Sequence, residues 1–167
     1  MTPTQYRDQV AELAKTNVSK ATEVAKKIDD PWFQAQAWSH LARYADKPLP
    51  FARTAAKSAA QGRDDYQRSA VRAWEIAALA ERKRTVQARR SLAEALELAA
   101  SVTPVSSRAE SLMLLFQAAF KISKPDAAEA AEVLRRACPS SHWRAERALK
   151  DVEMMLNGEL LPREFFW

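Results

Sequence analysis

Two tryptophans 36 residues apart, each followed by small side chains at the same distances, constrain this chain more than any other feature. Trp38 is followed 14, 18 and 21 residues later by Ala52, Ala56 and Ala59, and Trp74 at the same distances by Ala88, Leu92 and Ala95. A bulky segment therefore alternates with an alanine-rich one. The bulky runs at 31–45, 65–82 and 106–122 are each followed by a lighter partner, at 51–60, 86–99 and 127–137. Apolar residues recur at helical spacing in every run, and no stretch shows the two-residue alternation of a strand. Small residues let neighbouring helices approach closely while large ones fill the hollows between them. No single pair can bury its own apolar stripe, so the pairs must stack.

Prolines punctuate the pattern. Pro3, Pro31, Pro48, Pro50, Pro104, Pro125, Pro139 and Pro162 all fall between the periodic runs, as expected when proline suits a helix's first turn and disrupts an interior. Asp30-Pro31 reads as a cap followed by the first helical residue. Ser107 with Glu110 reads as a capping box, and Ser123 with Pro125-Asp126 as a variant of it. Gly62 and Asn157-Gly158 stand where a left-handed helix end is expected. Residues 3–28 read as two helices broken at Thr16-Asn17-Val18-Ser19, one long helix being the alternative. A last helix is expected at about 140–157, followed by an aromatic tail at 158–167.

The 167 residues suit one domain spanning 1–167, able to bury about two-thirds of the surface its unfolded chain exposes. Only two glycines are present, which excludes a dinucleotide fingerprint and a P-loop, since both need glycines for close backbone approach to phosphate. The single cysteine rules out an intramolecular disulfide and a multi-cysteine zinc site. No cofactor is expected. The opening residues are polar and no window is apolar enough to span a membrane, so a cytoplasmic location is the expectation.

Ala35-Gln36-Ala37-Trp38-Ser39-His40-Leu41-Ala42 resembles the first helix of a tetratricopeptide repeat, with Trp, Leu and a small residue at the family's spacing. Ala73-Trp74-Glu75-Ile76-Ala77-Ala78 resembles a second copy. Ala77 replaces the Leu there, the repeat-closing proline is missing, and the third pair has Leu, Met and Phe where Trp would be. The resemblance implies an all-α, right-handed superhelical solenoid of eight or nine helices. Its hairpins would lie at 31–62, 64–103 and 105–138, with a further one at 3–29 and a capping helix at 140–157. A HEAT-type solenoid is the alternative. In the tetratricopeptide family the first helices line a concave groove. Carried over, this turns Gln36, Ser39, Arg43 and Lys47 towards the groove, with Arg72, Glu75, Arg82 and Lys83 from the next hairpin. Five of these eight are cationic, so the expected role is a non-enzymatic scaffold binding an acidic peptide or protein segment.

Charge placement agrees with an anionic partner. Residues 43–90 carry 12 Lys/Arg against 5 Asp/Glu, although the whole chain is only +5. Arg84, Arg89 and Arg90, next to Arg82 and Lys83, form a candidate anion patch and support nucleic-acid association as a second reading. Trp38 and Trp74 are expected to pack between hairpins. Cys138 and His142 are the remaining enzymatic reading, but a cysteine at a helix C-terminus faces a dipole that disfavours its thiolate. His40 and His142 have no helical-spacing partner for a metal. Phe165, Phe166 and Trp167 would be adhesive if exposed. They are expected to fold back over the last helix, the alternative being docking into a second copy or a partner.

Overall fold

In the computed structural model, which describes residues 1–166, the regular structure is entirely helical. The helices are α1 (Pro3–Ala14), α2 (Val18–Ala25), α3 (Pro31–Tyr44), α4 (Pro48–Ala59), α5 (Asp65–Ala70), α6 (Arg72–Glu81), α7 (Thr85–Ala99), α8 (Val105–Ile122), α9 (Lys124–Ala137) and α10 (Trp143–Leu156). None is long and apolar enough to cross a membrane.

Local chemistry explains most of the boundaries. Thr2 and Gln5 form a reciprocal capping box at the start of α1, and Asn17 caps α2, so residues 3–25 are two helices. Asp30 accepts from Trp32 N–H and Phe33 N–H at 2.9 and 3.3 Å, with Pro31 in the first turn of α3. Asp64 caps α5 through Gln67 N–H, and Ser123 caps α9 through Asp126 N–H.

Three local expectations need correction. First, α8 starts at Val105, after an extended Pro104, so Ser107 and Glu110 lie inside the helix and form no capping box. Second, Gly62 is not left-handed. It ends a turn held by Gln61 N–H to Ser58 O and Gly62 N–H to Ala59 O. Its lack of a side chain matters for room, since a Cβ there would lie 3.0 Å from Gln67 Cβ and 3.1 Å from Arg68 N. Gly158, with φ +78, does take the left-handed conformation. Third, the run 65–82 is one helix interrupted at Val71. The Ser69 hydroxyl donates back to the Asp65 carbonyl at 2.6 Å, a bond that bends helices. That hydroxyl also pairs with Ser111 of α8 at 2.7 Å.

Counting α5 and α6 together gives nine helices among the described residues, and their packing is serial. α1 packs on α2 and α3, α3 on α4 and α6, α6 on α7 and α8, and α8 on α9 and α10. The first helix of each pair therefore touches the first helix of the next, making a row α1, α3, α5/α6, α8, α10. The second helices pack against that row. Their alanines make this contact close: Ala52, Ala59, Ala88 and Ala95 are all buried. Trp38 is 7 % exposed and stacks on Phe51, and Trp74 is 6 % exposed. Both belong to the core, as expected. The deepest large side chains include Leu41, Ile76, Leu112, Leu115, Phe116 and Leu134.

Candidate functional site

The eight residues assigned to a groove do not form one surface. Ser39 is fully buried and donates to Ala35 O. Glu75 is buried, accepting from Arg72 and from the Ser91 hydroxyl at 2.6 Å. Arg72 also reaches Glu94. Burial works against the Arg72 charge, but the Glu75 carboxylate more than compensates and holds its pKa above the usual value. Arg82 Nη1 donates to the carbonyls of Ala42, Arg43 and Ala45 at 3.0, 3.0 and 2.7 Å, tying one hairpin to the end of α3. Arg43 is held by Glu81 at 2.7 Å. Lys47 is exposed at the start of α4. Only Gln36 reaches the main cleft, while Arg43 and Lys83 line a smaller one.

The anion patch is divided too. Arg89 forms a two-pronged pair with Asp126, at 2.9 and 3.1 Å. Hydrogen bonds from Arg89 and Ser123 outweigh desolvation and hold the Asp126 carboxyl below its ordinary pKa. Arg84 and Arg90 remain exposed.

The main cleft, about 770 Å³, lies along the first helices, and apart from Gln36 it is built by residues outside the expected eight. Trp32 and Tyr66 stack with centroids 6.0 Å apart, and Trp74 meets the edge of Trp32 at 5.7 Å. These rings supply an aromatic wall, extended by Met113 and Leu114 of α8. Arg7 donates to Gln36 Oε1 at 2.7 Å on one side. Arg144 and Arg147 of α10 and Arg163 contribute three further cations. None of these three forms an ion pair with a carboxylate among the described residues. Glu110 and Asp151 are the cleft's acidic groups. Burial, and then the nearby Glu110 carboxylate, push the Tyr66 hydroxyl up to about 12, so it stays protonated. The cleft thus combines flat apolar rings with a surplus of positive charge.

The segment after α10 folds back, though over other helices than expected. It runs across α8, α6 and α3, not over the last helix. Arg163 N–H donates to Gln117 Oε1 at 2.8 Å, and Glu164 pairs with Lys121 at 3.0 Å. Phe165, 1 % exposed, meets Trp74 edge-on at 5.4 Å. Phe166 meets His40 at 4.9 Å and lies under the Arg43 guanidinium at 4.2 Å. Trp167, expected to share this role, lies outside the described residues.

Cys138 is 2 % exposed, and burial raises its thiol pKa against the opposing charge of Arg108. His142 caps α10, its Nδ1 accepting from Arg144 N–H at 3.3 Å. No group of three or more His, Cys, Asp or Glu side chains suited to a metal occurs among the described residues. No protein-family model, curated protein or solved structure matches this chain.

A signal for the aromatic wall was present in the sequence. Trp32 and Tyr66 each stand two residues after a capping Asp and 34 residues apart, about the tetratricopeptide period. The three arginines carried no such mark, because their convergence depends on how the row of first helices stacks.

Proposed function

We propose that this chain is a tetratricopeptide-like interaction module whose first-helix face binds an acidic peptide segment of a protein partner. The observation that carries this reading is the cleft itself. Arg144 and Arg147, neither paired with a carboxylate among the described residues, flank an aromatic wall of Trp32, Tyr66 and Trp74. Guanidinium groups take carboxylates through paired, charge-assisted hydrogen bonds, and large rings supply the apolar anchors that dominate peptide interfaces. The serial packing of hairpins supports the repeat assignment. The reading is of a binding module and assigns no catalytic residue.

A blocked acidic peptide of about a dozen residues, Glu-rich with two leucines, tests this by quenching or shifting tryptophan emission. Arg144→Glu with Arg147→Glu is expected to weaken binding about tenfold or more, with an unchanged circular dichroism spectrum because both side chains are exposed. Binding that survives this double reversal unchanged removes the cleft from consideration. Nucleic acid is the second reading, favoured by the exposed Arg84 and Arg90. It predicts that Arg84→Glu with Arg90→Glu abolishes oligonucleotide binding and leaves peptide binding intact.

A further inference from the structure

Residues 163–166 lie on the first-helix face as an extended peptide ligand would, and they show which side chains that face accepts. A carboxylate, Glu164, meets Lys121. The next ring, Phe165, enters the core beside Trp74. The ring after it, Phe166, is clasped between the His40 edge and the Arg43 guanidinium. Around this niche Arg43, Lys83 and Lys121 outnumber the face's own acid, Glu81. If Glu164 leaves, the niche is short of negative charge and of two rings.

The main-chain attachment is sparse for a segment whose side chains fill so much apolar space. Among the described residues, one main-chain hydrogen bond, Arg163 N–H to Gln117, fixes residues 163–166 to the helices. The approach from α10 is a left-handed Gly158 and an 86 % exposed Leu161, followed by Pro162, which has no N–H to donate.

We infer that residues 163–166 are a resident ligand, and that the partner of this face carries an extended acidic–aromatic–aromatic segment that displaces them. This inference rests on reading the first-helix face as a peptide-binding surface, and it adds the partner's chemistry and the competition it must win.

The test uses the full chain and three blocked peptides of about ten residues: one with Glu-Phe-Phe at its centre, the same peptide with Glu-Ala-Ala, and one with Lys-Phe-Phe. Hydrogen exchange read by mass spectrometry follows residues 159–166. The Glu-Phe-Phe peptide is expected to speed exchange in that segment about tenfold while slowing it in α3, α6 and α8. The Glu-Ala-Ala peptide should leave it unchanged. In full-length Lys121→Glu the preference is expected to pass to Lys-Phe-Phe, an outcome that loss of folding cannot imitate.

Three results would overturn the inference. The Glu-Phe-Phe peptide binds without exposing 159–166, it fails to bind at millimolar concentration, or the chain alone sediments as a dimer with the segment exchanged between copies. The Glu-rich leucine peptide separates the two proposals. If it still binds through Arg144 and Arg147 while Glu-Phe-Phe displaces nothing, the cleft reading stands and the resident-ligand reading falls.

Discussion

Arg82 spends its charge inside the fold. One of its guanidinium nitrogens closes the three carbonyls at the end of α3, where a helix leaves acceptors unsatisfied and where a cation also suits the dipole. Arg82→Met keeps much of the stem and strands those carbonyls. It is expected to lower stability by about 1–3 kcal/mol in urea unfolding, with peptide affinity unchanged once the variant is folded. His40 is the opposite case, a buried imidazole held in its neutral form. Its Nδ1 has no hydrogen-bond partner among the described residues. Burial, followed by the charges of Arg43, Arg7 and Lys15, lowers its pKa to about 3. The unfolded chain binds a proton near pH 6.5 that the folded chain refuses, so stability falls as pH drops from about 6.5 towards 3. The slope contributed approaches about 1.4 kcal/mol per pH unit. Urea titrations between pH 7 and 5 are expected to show that slope in the native chain and to lose it in His40→Leu.

Among the helices, α9 shows how a cap can be shared. Ser123 and Asp126 close its first turn while Asp126 also receives Arg89 from α7. Because the Asp126 pKa is depressed in the folded chain, its contribution is present above the ordinary carboxylate range and lost as pH falls through the native value. Asp126→Asn should therefore cost about 1 kcal/mol at pH 7, and the difference from the native chain should shrink as pH falls below the ordinary carboxylate range in the same unfolding assay. Helix starts of this kind were legible at Asp30 and Ser123 because a cap is decided within four residues, whereas the same pattern at Ser107 falls inside α8. The groove was not legible, for a reason visible in α3 and α6. Residues 35–42 and 73–80 are buried all round. The usual inference that polar residues between buried apolar ones face water fails there. α3 is packed by α1, α4 and α6 and covered by Phe166, so Gln36, Ser39 and His40 are enclosed with it. The exposed cations that do converge come from α10 and from Arg163, which one helical period cannot bring together.

Across the molecule, the +5 net charge is less informative than its pairing. Much of the basic surplus in 43–90 is used inside the fold, between hairpins at Arg43–Glu81 and Arg89–Asp126 and within α6 at Arg72–Glu75. Salt is expected to act mainly on the partner: acidic-peptide affinity should fall steadily from about 0.05 to 0.5 M salt, while the melting temperature changes little, since exposed charges are screened far more than partly buried ones. The closing segment has one more consequence, for cooperativity. An array in which each hairpin touches only its neighbours unfolds as a chain of coupled but separable units. Phe165 and Phe166 break that rule, because four consecutive residues bridge α8, α6 and α3, three hairpins at once. They act as a tie rod, making the loss of any one of those hairpins a loss for all three. Phe165→Ala with Phe166→Ala should thus do more than lower the midpoint. It is expected to broaden the urea transition and separate the tryptophan fluorescence signal from the helical one, as the hairpins begin to melt on their own.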